Sequence, residues 1–306
     1  VSERTRVLVT GAYGFLGSHV VRQLDATQRY FITTTFRGHD LTIERNVESL
    51  YRTTLPEVVI HLAANVGGIG ANVERPAEFF YDNAMMGMLM LHAARKYSVK
   101  RFILIGTACG YPESASRPFV EQDYWKGVPN PLVAPYAMAK KVLMVMADAY
   151  EQQYGLPTTP LILTNLYGPG DHFNQTSSHV VPALIQRLVE AQESSLQSVA
   201  IWGDGTATRD LLYVEDAADA IVRSIEWNVT YPVNIGSGVG TSIGWLAGMI
   251  ADIIQYKGAI YCDTSKPVGQ HRRCLDTSRA RALGFTPKVD LREGLTRTID
   301  WYKANR

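Results

Sequence analysis

Net charge is nearly missing from this chain: 30 lysines and arginines stand against 29 aspartates and glutamates, a formal balance of +1 over 306 residues. With no field of one sign, nothing draws the protein generally to nucleic acid or to an anionic membrane, so any phosphate it recognises must meet a local cluster. Cysteine is scarce, and the three present, Cys109, Cys262 and Cys274, are an odd number without Cys-x-x-Cys spacing. That argues against a disulfide framework and against a zinc site, and no metal is expected. No apolar run approaches the roughly 20 residues of a membrane span. Val1 to Arg6 lacks the apolar segment of a signal peptide, so the expectation is a cytoplasmic protein without membrane or nucleic-acid partner. Internal repeats and low-complexity tracts are absent as well. A hydrophobic share of 46% with 19% charged residues suits a globular chain that buries one large core or two intimate domains.

What is present is an alternation. Strand-like runs at Arg6–Thr10, Phe31–Thr35, Val58–Leu62, Arg101–Ile105 and Thr158–Leu163 are separated by helical stretches. This is the α/β pattern of a doubly wound parallel sheet covered on both faces. Ligands of such sheets bind beyond the carboxyl ends of the strands, where Gly11, Ala63, Thr107 and Asn165 all fall. The first strand runs into Gly11-Ala-Tyr-Gly14-Phe-Leu-Gly17 and then an apolar-periodic stretch from Ser18 to Leu24. Strand, glycine turn and helix together read as a dinucleotide site. Gly11 permits the tight turn, Gly14 the approach of a pyrophosphate and Gly17 close packing, while the helix N-terminus supplies amides and partial positive charge. The spacing G-x-x-G-x-x-G departs from the commoner G-x-G-x-x-G, and a glycine triplet alone is also compatible with a plain turn. Met85 to Met90 lies in a helical pattern where core packing is the reading.

Tyr136 and Lys140, in Pro135-Tyr-Ala-Met-Ala-Lys140, stack a phenol above an ammonium on one helix face. A cation beside a phenol favours the phenolate, moving a group with an ordinary pKa of roughly 10 toward proton chemistry near neutrality. The same spacing also occurs on solvated helices without a catalytic role. The second strand ends Thr33-Thr-Thr-Phe-Arg37-Gly-His, with no acid at its tip for a ribose 2′-hydroxyl. Arg37 is placed to meet a 2′-phosphate, which points to NADP(H); a solvated loop charge is the alternative.

Gly11/Gly14/Gly17, Thr107 and Tyr136-x-x-x-Lys140 together resemble the extended short-chain dehydrogenase/reductase family, over nearly the whole chain. Further matches are His61-Leu-Ala-Ala64, Asn165-Leu-Tyr-Gly-Pro169 and Arg209 to Asp216. Val66-Gly-Gly-Ile69, Ala108-Cys-Gly-Tyr-Pro112 and Ser178-His-Val-Val-Pro182 are similar to its GDP-L-fucose synthase branch, which acts on a GDP-4-keto-6-deoxy sugar. The resemblance implies a Rossmann-type domain that binds NADP(H) and a smaller, mostly C-terminal domain that binds a nucleotide-diphosphate sugar. The first would span 1–165, with 206–236 returning to it; the second would span 166–205 and 237–306. Cofactor contacts are implied at Tyr13, Phe15 and Leu16 beside the glycines, and at Arg37, Asp40 and Leu41 after the second strand. Others are implied at Ala63, Ala64, Leu163 and His179, besides Tyr136 and Lys140.

For the chemistry, the resemblance makes Tyr136 the proton donor to a ketone being reduced. Lys140 would hold the nicotinamide ribose and lower the phenol pKa, and Thr107, where serine is commoner, would hydrogen-bond the same carbonyl oxygen. Cys109 stands two residues on, which in an extended segment puts its thiol on the side of the Thr107 hydroxyl. The resemblance assigns Cys109 as base and His179 as acid, inverting C3 and C5 before reduction at C4. Spacing alone leaves the thiol as a buried hydrophobe and the histidine as a solvated loop residue. Arg209 leads the candidates for the substrate's phosphates, with His271, Arg272 and Arg273 a weaker cluster, and Asn165, Val180 and Trp202 line the sugar and nucleotide. Arg209 could instead pair with Asp210 or Glu215, and Trp202 could be core. Asn65, where Lys or Gln is frequent, and Pro267-Val-Gly-Gln-His271, in place of Pro-Asp-Gly-Thr-Pro, depart from the branch pattern and bear on which sugar is taken.

Two other readings stay open: a C4-reductase or single-carbon epimerase on a deoxyheptose or antibiotic nucleotide sugar, and a non-enzymatic dinucleotide-binding regulator. Thr107, Tyr136 and Lys140 argue against the regulator, which needs no proton donor beside a nicotinamide. The resemblance also implies a homodimer joined by a four-helix bundle of Val73–Tyr97 and Ala134–Tyr154, although the apolar positions there suit a monomer core equally. Replacing Arg37 with Ala should cost NADPH affinity far more than NADH affinity in parallel titrations; equal losses would refute the 2′-phosphate assignment.

Overall fold

Short runs of β-branched and aliphatic residues, Val7-Leu8-Val9 and Val58-Val59-Ile60, are fully buried and form the middle of the main sheet. The computed structural model describes residues 4–35, 38–173, 178–265 and 270–306. The chain opens with β1 (Thr5–Thr10), α1 (Phe15–Ala26), β2 (Tyr30–Thr34), α2 (Glu44–Thr54) and β3 (Val58–His61). It continues through α3 (Ile69–Glu74), α4 (Pro76–Lys96), β4 (Arg101–Thr107), α5 (Ala134–Tyr154) and β5 (Thr158–Leu163). Next come β6 (Asn165–Tyr167), α6 (Val180–Glu193), β7 (Ser198–Trp202), β8 (Thr208–Tyr213), α7 (Val214–Ser224) and β9 (Val233–Ile235). The last are β10 (Gly240–Ser242), α8 (Ile243–Ile254), β11 (Ala259–Asp263), α9 (Ser278–Ala282) and α10 (Leu291–Asn305).

Six strands form a parallel sheet in the order β2-β1-β3-β4-β5-β9. All five anticipated strands are in it, and β4 runs on to Thr107 instead of ending at Ile105. The order reverses at β1, which has β2 on one side and β3 on the other, so a crevice opens over the carboxyl ends of β1 and β3. One face is covered by α1 and α7 through Val20, Leu24, Ala217 and Ile221. The opposite face is covered by α2, α4 and α5 through Tyr51, Met90, Leu143 and Met144. Met90 is core and Met86 and Met88 pack half-buried against it, as the helical pattern implied. The two 21-residue helices α4 and α5 approach closely because Gly87 leaves room; a Cβ there would overlap the Leu143 side chain.

A smaller body holds β8 between β6 and β10, with β7 paired to β11. Its core is Leu184, Ile185 and Leu188 of α6 with Leu246 and Ile250 of α8 and Leu295 and Ile299 of α10. The expected return over 206–236 divides: β8 joins the three-stranded sheet, while α7 packs on α1 and β9 pairs with β5. Asp210 is buried in the middle of β8. Its carboxylate accepts from Ser237 N and Oγ and Gly238 N, just after β9, and from Leu275 N of the main core, so β8 is held to the larger body at this point while pairing with β6 and β10. Among the described residues no helix is long and apolar enough to cross a membrane.

Candidate active site

A cavity of about 1000 Å³ lies over the carboxyl ends of β1, β3, β4 and β5 and continues between the two bodies toward Trp202 and Arg273. Its floor is made of backbone. Gly11 has φ +68°, and a Cβ on it would come within 2.7 Å of Ala63 N; a Cβ on Gly17 would overlap the Gly11 carbonyl. Gly14 N–H donates to Gly11 O at 3.0 Å and closes the turn. Thr10 Oγ1 accepts from Ala63 N at 3.1 Å and bonds His61 Nδ1 at 2.8 Å, locking the exit of β1 to that of β3. Gly14 is also the N-cap of α1, whose first turn carries no acidic residue. Helix dipole and free amides thus meet the cavity with no carboxylate to oppose an anion, which fits a dinucleotide diphosphate.

Most of the residues expected at the cofactor line this cavity: Gly11, Gly14, Phe15, Leu16 and Gly17, then Asp40, Leu41, Ala63, Ala64 and Leu163. Tyr13 does not. It is 59% exposed and its hydroxyl shares a hydrogen bond with Thr34 Oγ1 at 3.2 Å, because the turn that brings Gly14 inward throws its neighbour outward. Asp40 Oδ1 accepts from Thr42 N and Oγ1 at 2.8 and 2.6 Å, and these hydrogen bonds hold its carboxyl below the usual range. Arg37 lies outside the described residues.

Thr107, Tyr136 and Lys140 converge on the cavity, Thr107 from the end of β4 and the other two from the first turns of α5. Tyr136 is hydrogen-bonded to the Thr107 side chain. The expected lowering of the phenol pKa is reversed. Burial pushes it up, negative charge on Cys109 adds to the rise, and only the Thr107 hydrogen bond opposes it. Lys140 is not among the groups that shift the phenol, and loss of water pushes its own ammonium down to about 8. Cys109 also lines the cavity, but the backbone reason differs from the extended segment expected. Residues 108–110 form a 3₁₀ turn capped by Thr107, whose Oγ1 accepts from Cys109 N at 3.2 Å. His179 is the N-cap of α6 and opens onto the same cavity. Desolvation by the surrounding walls, then the charges of Arg273 and His172, hold its imidazole below the ordinary value.

Arg209 and Arg273 bring two buried cations to the far end of the cavity. Lys140, Lys141, Arg209 and Arg273 are the buried lysines and arginines of the described residues, and none of them has a carboxylate ion-pair partner there. Arg209 Nη1 donates to the carbonyls of Gln270 and Thr208 at 2.6 and 2.8 Å; burial, then repulsion from Arg273, pushes its pKa down to about 10. The alternatives of pairing with Asp210 or Glu215 do not occur: Asp210 is taken by backbone amides and Glu215 by Arg22. Asn165, Val180 and Trp202 line this end, and Trp202 is 48% exposed instead of core. Of the weaker basic cluster only Arg273 turns inward. Its Nη1 lies 3.4 Å from Cys109 Sγ and 3.3 Å from Asn165 Oδ1, while His271 and Arg272 are exposed.

Residues 7–236 match the family described as NAD dependent epimerase/dehydratase. A GDP-L-fucose synthase of Escherichia coli strain K12 is 36% identical over 316 residues, covering 99% of this chain and 98% of that relative. The structure of a GDP-L-fucose synthetase from Naegleria fowleri bound to NADP matches with TM-score 0.90 and 26% identity, over 100% of this chain and 96% of that one. A GDP-6-OMe-4-keto-L-xylo-heptose reductase from C. jejuni matches with TM-score 0.92 and 25% identity, over 99% of both chains.

Several residues around the cavity carried no motif. Asp171 lines it with Oδ2 unpartnered, and burial pushes its carboxyl up to about 7; the Gly168-Pro-Gly170 break just before it was its one signal. Lys141, beside Lys140, turns to the opposite side and donates to Tyr124 O, Gly110 O and Gly127 O at 2.6, 3.2 and 3.3 Å. Tyr124 in turn donates its hydroxyl to Thr107 O at 3.1 Å. One ammonium therefore clamps the loop that carries Cys109 against the helix that carries Tyr136. Lys141→Met leaves three carbonyls without that donor and should lower the unfolding free energy in urea by about 2 kcal/mol. An unchanged midpoint and slope would show that the clamp contributes nothing.

Proposed function

The chain belongs to the NAD dependent epimerase/dehydratase family, the extended short-chain dehydrogenase/reductases, and within that family we propose that it is an NADPH-dependent 3,5-epimerase/4-reductase of a GDP-4-keto-6-deoxy sugar. The observation that carries this reading is that Cys109 and His179 open onto the same cavity as Thr107, Tyr136 and Lys140. A plain reductase needs the second group alone. A thiol and an imidazole beside it provide the base and acid that inversion next to a ketone requires. NADPH supplies a hydride when bound.

Cys109 as thiolate takes the proton from the carbon beside the ketone, the C–H electron pair passes into the enolate, and His179 returns a proton from the opposite face. Arg273 and His172 repel the imidazolium in the free protein. The negative charge of a diphosphate held by Arg209 offsets that repulsion and favours the protonated, donating form. Tyr136 then gives its proton to the alkoxide at C4, with the Thr107 hydroxyl on the same oxygen. The raised phenol pKa suits this step, since Tyr136 stays protonated until a strongly basic oxygen forms beside it. Lys140 holds the nicotinamide ribose, and the described end of the cavity at Asp40 and Leu41 faces the adenosine. Residues 166–205 and 237–306 hold the nucleotide sugar, with Trp202 beside its base, and Arg209, from β8 outside those segments, meets its diphosphate.

A reductase or single-carbon epimerase of a related GDP-sugar is the second reading, favoured by the match to a heptose reductase and by Gln270 at the sugar end of the cavity. The proposal further places the protein in the cytoplasm as a homodimer. Its support is the apolar surface left on α4 and α5, where Tyr81 and Val145 are 57% and 56% exposed and Phe80 41%.

Incubating the ketosugar with enzyme in heavy water without NADPH should place deuterium at C3 and C5. Cys109→Ser should abolish that labelling, whereas Tyr136→Phe should keep it and abolish reduction; absence of label with the wild type would leave a reductase. Lys140 loses its charge as pH rises through its value of about 8, so NADPH affinity should weaken above that pH. A fluorescence titration across the range should show the decline in wild type and a flat profile in Lys140→Met; a flat wild-type profile would show that this ammonium does not hold the cofactor.

A further inference from the structure

Resting on the epimerase reading, we infer that Arg273 and Gln270 are positioning residues for Cys109, the guanidinium holding the sulfur as an anion and the carboxamide fixing the guanidinium against it. Arg273 is 8% exposed. Its hydrogen bonds go to Cys109 Sγ at 3.4 Å, Asn165 Oδ1 at 3.3 Å and Gln270 Oε1 at 3.2 Å. Asn165 and Gln270 satisfy donors but carry no charge. A buried cation surrounded by neutral acceptors is costly, and one within reach of an ionisable sulfur has its counter-ion built in. The surrounding cations respond to the same guanidinium: burial, then repulsion from Arg273, disfavours both the Arg209 cation and the His179 imidazolium.

Gln270 is 2% exposed and stands between the two guanidiniums, its backbone carbonyl on Arg209 Nη1 at 2.6 Å and its Oε1 on Arg273 Nε. Because the Nε–H of Arg273 can only donate, the carboxamide must present oxygen to it. That fixes the other end: Nε2 is buried without a partner in the cavity wall. An oxygen of the bound sugar is the acceptor it would meet, so substrate binding and the placement of Arg273 are linked through one side chain. In the reaction the sulfur gains the proton of the sugar carbon and becomes a thiol, the C–H electron pair enters the enolate, and Arg273 keeps all its protons throughout. The competing role for Arg273 is to grip the substrate diphosphate, with the sulfur contact incidental.

The test uses iodoacetamide on the full-length protein without sugar or NADPH, following Cys109 and the exposed Cys262 as separate peptides by mass spectrometry. Arg273→Met should slow alkylation of Cys109 by about tenfold or more at neutral pH, the equivalent of losing one hydrogen bond to a charged group, and leave Cys262 unchanged. Arg273→Lys should restore part of the rate, and Gln270→Leu should give an intermediate one. In the exchange assay kcat should fall more than the sugar KM rises. Unchanged Cys109 alkylation in Arg273→Met, or a rise in KM alone, would overturn the inference. If Arg273→Met does not fold, Arg273→Lys and Gln270→Leu decide it: wild-type Cys109 rates in both overturn it. Missing deuterium at C3 and C5 in the wild type would refute the epimerase function, a result separate from the alkylation, which involves no sugar.

Discussion

Everything in this molecule hangs on a backbone contact that excludes side chains. Gly11 and Gly17 press the first turn of α1 onto the exit of β1, and Gly11 meets Ala63 at the exit of β3 with no room for a Cβ. Thr10 seals the joint with one hydroxyl shared between Ala63 N and His61. With these exits level, the ends of β4 and β5 fall in line, and Thr107 and Leu163 reach the same cavity as the glycine turn. A methyl group at Gly17 would tilt the helix and separate the dinucleotide end from the chemistry.

A chain with a net charge of +1 nevertheless builds a strongly positive site. It does so by sorting. Surface charges form pairs such as Arg22 with Glu215, Lys96 with Glu48 and Arg292 with Asp252. Among the buried cations, Lys141 and Arg209 instead take carbonyls, and Arg273 takes two amide oxygens and a thiol. Low polarity around them strengthens their action on an anion and destabilises them without one, which is why Lys140 and Arg209 are both pushed down.

The end of β4 and the loop after it bring two candidate groups, Thr107 and Cys109, to the cavity. Cys109 sits in a 3₁₀ turn capped by Thr107, and the residues around it are held by Lys141 and Tyr124. Thr107 and Cys109 therefore share one piece of backbone, and Arg273 reaches it from a distant part of the chain.

Features close together in the chain could be read directly. The five strands, the glycine turn and the four-residue step from Tyr136 to Lys140 depend on local periodicity, and the structure has each of them in place. Cys109 and His179 were legible only through their neighbours' resemblance to a known pattern. Three matters belong to the tertiary structure alone. Arg273 meets Cys109 across 164 residues of sequence, and no spacing rule connects them. Lys141 is one residue from Lys140, yet helix geometry turns it to other partners and another role. The phenol of Tyr136 is raised instead of lowered, because a pKa depends on how much water a group keeps, and burial is set only when the whole chain has folded around it.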